Sequence, residues 1–295
     1  MPNRMSDVAL LGVAMVWGSS YLALKELAGA DTVFALLALR FVVAAVVLAV
    51  LVGPRLRHIT AAELVSGVMC GGVLWAVCAA ETYGVTRTSA SNAGLLMALT
   101  IVVTPLLQGP RSVPVRFYGA GVAAVLGCVL LTQSHGFGPP GIGDLVIGTA
   151  AVLRSCHVTL LGRISAGREL DITRLTLVQL ATVAGLSTGL STVTGQPAGA
   201  VAVDMGAADV MLLLYLALAC TVFAFVVQVR AVQLSTPARV SLLLGTEPLW
   251  AAMIGVGVGS DPVTAAGVVG ALLVVGGAAW GSLREKTVQI PLKND

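Results

Sequence analysis

The 295-residue sequence contains very little charge. Charged residues make up 11% of it, hydrophobic residues 57%, and the mean hydropathy is +0.95. Because soluble domains carry about a quarter charged residues, this chain has too few to cover a water-facing surface. The composition excludes an ordinary soluble enzyme and a disordered chain, and predicts a polytopic membrane protein. The net charge of +3 is spread thinly along the chain, so we expect no nucleic-acid partner.

The sequence also lacks the patterns of metal, redox and nucleotide chemistry. No C-x-x-C spacing and no G-x-x-x-x-G-K-[ST] loop occurs, and the three histidines are scattered. The string Gly141-x-Gly143-Asp144 is found in intramembrane aspartyl proteases, but that chemistry needs a second carboxyl, and no Tyr-Asp pair supplies one. We therefore expect no metal, no cofactor and no enzymatic activity. The five cysteines lie in apolar runs and are interpreted as small core residues of membrane helices: Cys70, Cys78, Cys128, Cys156 and Cys220.

Long apolar runs fill the rest of the chain. A helix needs about 20 apolar residues to cross a bilayer, and the runs are continuous, without the two-residue alternation of barrel strands. They predict an all-α integral membrane protein with about ten transmembrane helices. The predicted spans are 7–27, 32–52, 63–83, 88–108, 115–133, 144–163, 173–194, 208–230, 236–258 and 262–282.

The distribution of positive charge predicts the orientation of these spans. With the N-terminus inside, most Lys and Arg residues fall on the inner side, and only Lys25, Arg40 and Arg87 fall on the outer side. This predicts two cytoplasmic termini in a bacterial inner membrane or an equivalent plasma membrane. Lys25 and Arg40 are expected near the outer helix ends, with side chains that reach the interface.

The sequence contains a weak internal repeat. Thr88–Thr104 resembles Ser235–Ala251 at a separation of 147 residues, and Asp7–Lys25 resembles Asp144–Gly162 at a separation of 137. Each half then contains five spans. Because five is odd, the second half must enter the membrane from the opposite side, which predicts two inverted five-helix repeats. The Gly- and Pro-rich segment Ser134–Gly143 is interpreted as the linker between them.

Short motifs in both halves resemble a known family. The motifs are Trp17-Gly18-Ser19-Ser20, Leu39-Arg40-Phe41, Thr88-Ser89-Ala90-Ser91-Asn92-Ala93, Gly143-Asp144 and Glu247-Pro248. In this order they resemble the ten-helix EamA-type branch of the drug/metabolite transporter superfamily. The resemblance implies a solute transporter in which spans 1–4 and 6–9 surround a cavity and spans 5 and 10 are peripheral. It also implies a first repeat at 1–134, a second at 143–284 and a cytoplasmic tail at 285–295.

The sequence departs from the family pattern at three places. Gly109-Pro110 and Gly259-Ser260-Asp261 stand where such proteins often have a Gly-Glu pair, and the run between Pro105 and Gly109 is short by about one turn. Arg154 stands where the family usually has an aromatic residue. This last difference suggests an unusual substrate.

Two ionisable residues are expected at the middle of the membrane, where charge is expensive. Arg154 lies about ten residues into span 6, and Glu247 lies about eleven residues into span 9. Arg154 is interpreted as a fixed cation for an anionic substrate group or an internal carboxylate, and Glu247 as its partner or as a proton carrier. The alternative is a static ion pair that joins helices. Pro248 is expected to kink span 9 and to free the carbonyl of Leu244.

Further polar and aromatic residues complete the predicted site. His157, Thr100, Trp17 and Trp250 are candidates to line the cavity. The alternatives are a hydrogen-bonded helix contact, the commoner role of a lone histidine, for His157 and packing for the tryptophans. Possible gates are Glu81, Gln228, Asn92 and Arg239, with solvated helix ends as the alternative. The spacings Gly255-x-x-x-Gly259 and Gly277-x-x-x-Gly281 favour close helix contact and a possible homodimer.

These features predict a secondary active transporter that exports a small metabolite, an amino acid or another carboxylate, by gradient-driven alternating access. Membrane lipid and a coupling ion such as a proton are its expected partners. Metabolite uptake and multidrug-type export are the alternatives within transport. A membrane scaffold without transport is the alternative from another class, although a scaffold has no need for Arg154 and Glu247 at membrane depth.

Overall fold

A computed structural model describes residues 4–109, 113–132, 141–258 and 264–282. Every regular element in these ranges is helical. The first half contains α1 (Arg4–Leu27), α2 (Val33–Val52), α3 (Ala61–Val85), α4 (Ala90–Met97), α5 (Thr100–Gln108) and α6 (Val115–Thr132). The second half contains α7 (Ile142–Ser165), α8 (Ile172–Val193), α9 (Ala198–Asp204), α10 (Ala207–Ala217), α11 (Ala224–Leu234), α12 (Pro237–Leu244), α13 (Glu247–Val258) and α14 (Ala265–Ser282).

These helices form the predicted ten spans of a multi-pass membrane protein. Six helical stretches are long and apolar enough to cross a membrane, three shorter apolar helices accompany them, and α12 with α13 makes up the remaining span. Two elements were not predicted from the sequence: the 3₁₀ turn Gly53–His58 after α2 and the short helix α9, which lies in a predicted loop. The linker residues 134–140 and the tail 285–295 lie outside the described residues.

The outer faces of the long helices are apolar and exposed. Val50 and Leu51 of α2 are 75% and 71% exposed, and Val65 and Met69 of α3 are also exposed. Such faces suit contact with lipid chains, which are as apolar as these side chains. The buried polar residues lie on the opposite faces, inside the bundle, so the functional site is sought there.

Two of the predicted spans are broken, and they break at equivalent positions. α4 starts at Ala90 and ends at Met97, and α5 starts at Thr100; α12 and α13 have the same boundaries 147 residues later. The side chains of Ser89 and Thr236 cap α4 and α12 by accepting hydrogen bonds from backbone amides three residues on. The helix boundaries therefore follow the repeat that the sequence predicted, although the sequence predicted only a kink in span 9 and no break in span 4.

The contacts between helix ends establish the inversion of the two repeats. Arg239 near the start of α12 binds Asp7 near the start of α1. Gly162 near the end of α7 lies against Pro237, so a Cβ at Gly162 would come within 2.6 Å of that ring. α1 therefore begins where α7, its counterpart in the second repeat, ends. The two repeats run in opposite directions, as inverted-repeat transporters do.

A buried carboxylate ties the start of α3 to the α7–α8 connection. Glu63 completes a capping box with Thr60, and its Oε1 also accepts hydrogen bonds from the Asp171 amide and from Arg174, whose Nη2 lies 2.7 Å away. Asp171 in turn caps α8. Burial opposes ionisation of Asp171, but hydrogen bonds from Thr173 and Arg174 outweigh it and lower its pKa from the usual value.

Helices α6 and α14 pack closely through glycine. A Cβ on Gly277 would lie 2.7 Å from the Ala120 carbonyl oxygen, and a Cβ on Gly127 would lie 2.6 Å from that of Gly270. The predicted Gly277-x-x-x-Gly281 contact is thus made within the chain. Gly259 of the second predicted motif lies outside the described residues.

Candidate functional site

Three charged side chains from three helices meet in the core of the bundle. Arg154 of α7 places Nη1 2.9 Å from Glu247 Oε1 and Nη2 3.0 Å from Glu81 Oε2. The hydroxyl of Tyr21 donates to the other oxygen of Glu247 at 2.9 Å. We call Arg154, Glu81, Glu247 and Tyr21 the central cluster. Arg154 thus contacts two carboxylates, whereas the sequence suggested only Glu247.

The central cluster joins the two repeats. Glu81 and Tyr21 belong to the first repeat, and Arg154 and Glu247 belong to the second. The Arg154–Glu81 ion pair and the Tyr21–Glu247 hydrogen bond therefore cross between halves that have opposite orientation. A rearrangement of one half against the other must stretch or exchange these contacts, which makes the cluster sensitive to conformation.

The Trp17-Gly18-Ser19-Ser20 motif supports the cluster from α1. The guanidinium of Arg154 lies over the Trp17 ring, 4.5 Å from its centroid, in a cation–π contact. At Gly18, a Cβ would lie 2.6 Å from the carbonyl oxygen of Glu247, so only glycine lets α1 approach α13 this closely. Ser19 bonds its hydroxyl to the hydroxyl of Tyr215 on α10. This motif therefore positions Arg154 and the backbone of Glu247.

A π-helical segment between α10 and α11 faces the same region. Over Leu218–Phe223 the wider turn changes the backbone hydrogen bonding, and such segments are frequent at functional sites. The carbonyl oxygen of Cys220 accepts hydrogen bonds from Trp17 Nε1 at 2.9 Å and from Arg40 Nη2 at 3.4 Å. The sequence contained no signal that identified this segment.

The expectation for Arg40 was wrong. Instead of reaching the interface, its side chain is buried, with 6% of the residue exposed. Arg40 Nε donates to Thr221 Oγ1 at 2.7 Å. The physical reason is the rotation of α2: the side of the helix that carries Arg40 faces the π-helical segment rather than lipid, and sequence position alone reports depth but not rotation.

The expectation for Pro248 was also wrong in its detail. α12 ends at Leu244 and α13 begins at Glu247, so Pro248 lies in the first turn of a new helix rather than at a kink. Proline is tolerated there because first-turn amides have no partner within the helix. The break places the Glu247 carboxylate at the N-terminus of α13, where the helix dipole favours negative charge.

Other predicted site residues make no hydrogen bond to the central cluster in the described part of the chain. His157 is buried, and its Nε2 lies 2.8 Å from Gln179 Oε1 on α8. Thr100 is buried and donates to the carbonyl of Met97. Within the described structure, Trp250 Nε1 and Gln228 Oε1 are buried atoms without a hydrogen-bond partner. Among the described residues, no three His, Cys, Asp and Glu side chains lie close enough together to hold a metal ion.

The remaining two predicted gate residues lie at opposite ends of the bundle, each beside an aspartate. Arg239 binds Asp7 with Nη2 2.8 Å from Oδ2. At the other end, Thr88 donates to Asp144 Oδ1, and the Asn92 side chain also bonds this carboxylate. The two ends are therefore related by the repeat but differ in chemistry, because one has an ion pair and the other has neutral donors.

The comparisons with known proteins agree with this architecture. A profile of the EamA-like transporter family matches residues 4–133 and 141–283. The chain belongs to the EamA-like transporter family. It is therefore a membrane transporter of the drug/metabolite transporter superfamily, and its two matched segments correspond to the two repeats.

A solved structure supports the fold. A crystal structure described only as that of a protein shares 20% identity with this chain, over 95% of this chain and 97% of that one, with a TM-score of 0.74. At this identity the likeness concerns the fold alone. No curated protein matches this chain.

Proposed function

We propose that this transporter exports a small carboxylate-bearing metabolite, an amino acid or a related acid, by gradient-driven alternating access. The observation that carries the proposal is the central cluster, in which Arg154 binds one carboxylate from each repeat. Ion pairs at membrane depth are stable only while both partners stay together. A change of orientation that separates Glu81 from Arg154 therefore needs a compensating charge, which a solute or a proton would supply.

The charge of the cluster favours a proton as the coupling ion. One guanidinium and two carboxylates carry a formal charge of −1 when both carboxyls are ionised. An excess charge in a low-dielectric core is unfavourable, and one proton on Glu81 or Glu247 removes it. Proton uptake at the cluster would thus stabilise one state and proton release another, which is what coupling to a proton gradient requires.

Orientation and lipid contact complete the proposal. The excess of Lys and Arg on one side supports an orientation with both termini in the cytoplasm, in a bacterial inner membrane or an equivalent plasma membrane. Under this orientation the Asp7–Arg239 pair closes the cytoplasmic end, and Asp144 closes the outer end.

An apolar groove of about 580 Å³ between α2, α3 and α8, lined by Val46, Leu64 and Leu177 among others, suits a lipid chain.

An unbiased comparison of metabolites inside and outside cells tests this function. Bacteria that express the protein are compared with bacteria that express Glu247→Gln or Arg154→Ala at matched membrane levels. We expect one carboxylate-bearing solute to accumulate outside only with the intact chain. Accumulation inside would instead indicate uptake. If no solute moves with the intact chain in cells, or under an imposed proton or sodium gradient in vesicles, the proposal is wrong.

A multidrug-type exporter of cationic compounds is the second candidate. The formal charge of −1 on the central cluster, together with the indole face of Trp17, favours it, because both attract cations. Sensitivity of the same strains to lipophilic cations separates the two functions. Increased resistance that requires Glu247 and Glu81, without movement of any carboxylate, would support this second function.

A further inference from the structure

Arg40 is a buried cation without a carboxylate partner in the described part of the chain. Three arginines are buried there: Arg40, Arg154 and Arg239. Arg154 is paired with two glutamates and Arg239 with Asp7, but Arg40 has no ion pair. A buried guanidinium without a counter-ion is strongly unfavourable, and ionisable groups inside a membrane usually mark a substrate or ion pathway. Arg40 therefore needs an explanation beyond packing.

The geometry holds the Arg40 side chain in place but leaves part of it unused. Nε donates to Thr221 Oγ1 at 2.7 Å, and Nη2 donates to the Cys220 carbonyl at 3.4 Å. Thr221 is itself fixed by donating to the Leu216 carbonyl across the π-helical turn. Within the described residues, Nη1 has no hydrogen-bond partner. Because a guanidinium recognises a carboxylate with two parallel N–H groups, the free edge of Arg40 is suited to an incoming carboxylate.

Arg40 faces the same polar interior as the central cluster. Trp17 connects the two, because its ring lies under Arg154 while its Nε1 shares the Cys220 carbonyl with Arg40. The Cys78 side chain of α3 lies within electrostatic range of both arginines and of Glu81. The interior thus carries a positive charge at Arg40. When both carboxyls are ionised, it also carries a net negative charge at the cluster, from Arg154, Glu81 and Glu247. These four charges sum to zero.

We propose that Arg40 binds the carboxylate of the transported solute, and that the negative central cluster holds an ammonium group of the same solute. The ligand class is a zwitterion with one carboxylate and one ammonium group, such as an α-amino acid. Such a ligand binds while both carboxyls of the cluster are ionised, adds no net charge, and supplies the counter-ion that Arg40 lacks. A proton on Glu81 or Glu247 weakens the hold of the cluster on the ammonium group and so couples release to proton uptake. This proposal rests on the proposed function and adds to it the residue that recognises the substrate. In it Arg40, and not Arg154, recognises the carboxylate of the solute, and Arg154 keeps the role in coupling that the proposed function gives it.

The test uses the full chain in proteoliposomes loaded with the twenty common amino acids and with carboxylic acids that lack an ammonium group. Efflux of each is measured by mass spectrometry under an imposed pH gradient. For each amino acid that leaves, competition by the amino acid is compared with competition by its amide, which lacks the carboxylate. We expect intact protein to prefer the acid. Arg40→Gln should raise the apparent KM by about tenfold or more and abolish this preference, as loss of a hydrogen bond to a charged group predicts.

Matched variants separate recognition from stability. Arg40→Lys keeps the positive charge but lacks the two parallel N–H groups of the guanidinium. We therefore expect a raised KM with the preference for the acid kept. Thr221→Val removes the acceptor that orients Arg40 and should raise KM less than Arg40→Gln. Arg87→Gln makes the same change at an exposed arginine and should alter nothing. Thermal unfolding of each variant shows whether a loss of transport reflects loss of fold.

Each outcome has a defined meaning. If Arg40→Gln is folded and keeps the preference for the acid over the amide, the proposal is wrong. If the intact protein moves acids without an ammonium group but no amino acid, the proposal is also wrong, while the proposed function stands. If the intact protein moves no carboxylate at all, the proposed function itself fails.

Discussion

Arg154 contacts three side chains at once, and each contact constrains it differently. Glu247 and Glu81 bind separate terminal nitrogens, and Trp17 lies under the guanidinium plane. A lysine could not reproduce this arrangement, because its single ammonium group cannot span two carboxylates with a planar fork. The identity of the residue, and not only its charge, is therefore part of the site.

The hydroxyl of Tyr21 offers a prediction at this scale. Tyr21→Phe removes the donor to Glu247 and leaves that buried carboxylate with one fewer hydrogen bond. We expect a loss of about 1.5–3 kcal/mol in the free energy of unfolding, together with slower transport. Denaturant or thermal unfolding in detergent measures the first, and proteoliposome flux measures the second.

Tyr118→Phe is the matched control for this change. The Tyr118 hydroxyl is buried and has no hydrogen-bond partner among the described residues. Removing it should leave stability unchanged or slightly raised, since no hydrogen bond is lost. Equal effects of the two substitutions would contradict the importance of the Tyr21–Glu247 contact.

Sequence analysis predicted part of this residue-scale picture. The depth of Arg154 and Glu247 in their spans made their pairing geometrically possible, and the structure brings them to 2.9 Å. Glu81 was interpreted as a possible gate and Tyr21 was not considered, because a count of residues along a helix does not show which neighbour its side chain faces. Arg40 was misjudged for the same reason.

At the scale of elements, glycine determines which helices approach closely. Gly18 admits the α13 backbone beside Trp17, and Gly277 admits the α6 backbone. The sequence indicated the α14 contact from its small-x-x-x-small spacing but did not identify α6 as the partner. Spacing shows that a helix has a small-residue face, and only the fold shows what lies against that face.

Two adjacent glycines of α14 provide a direct test of this packing. Gly277→Ala places a methyl group 2.7 Å from the Ala120 carbonyl oxygen, whereas Gly276→Ala meets no atom within 4 Å. We expect Gly277→Ala to destabilise the protein by about 1–3 kcal/mol through overpacking, and Gly276→Ala to be neutral. Thermal unfolding of both variants measures the difference. A neutral Gly277→Ala would show that α6 and α14 are not in this contact.

The breaks within spans 4 and 9 also belong to this scale. No proline or charge cluster marked residues 98–99 as a boundary, and Pro248 predicted only a kink in span 9 and not the end of one helix and the start of another. The second break makes Glu247 the first residue of α13 and thereby stabilises its carboxylate through the helix dipole. The first break leaves Thr100 at the equivalent position, where no charge needs stabilising.

At the scale of the whole molecule, the inverted repeat accounts for where the charges lie. At one end of the bundle, the first turns of α1 and α12 carry Asp7 and Arg239. At the other end, the first turns of their counterparts α7 and α4 carry Asp144 and Asn92. Sequence analysis predicted the inverted repeat, because the internal similarity, the span count and the odd number of spans per half all agree. It did not predict that the contacts at the two ends differ in strength. The partners of Asp7 and Asp144 come from other helices, and sequence position does not identify them.

This difference predicts an unequal barrier to opening. Asp7→Asn removes the ion pair with Arg239 and should weaken the contacts at this end by about 1.5–3 kcal/mol, because a hydrogen bond between charged groups is lost. A single cysteine introduced as Leu10→Cys, in a chain without native cysteines, should then react faster with an impermeant maleimide. Asp31→Asn, at an exposed aspartate beyond the other end of α1, is the control and should have no effect. An unchanged rate for Asp7→Asn would contradict a gate at this end.

The central claim is that the cluster of Arg154, Glu81 and Glu247 couples solute movement to a proton gradient. The most direct measurement is solute flux in proteoliposomes, with and without an imposed pH gradient, for the intact protein and for Glu247→Gln. The account predicts that the gradient drives uphill movement by the intact protein. It also predicts that Glu247→Gln still exchanges solute but no longer responds to the gradient. Uphill movement by Glu247→Gln equal to that of the intact protein would contradict the account.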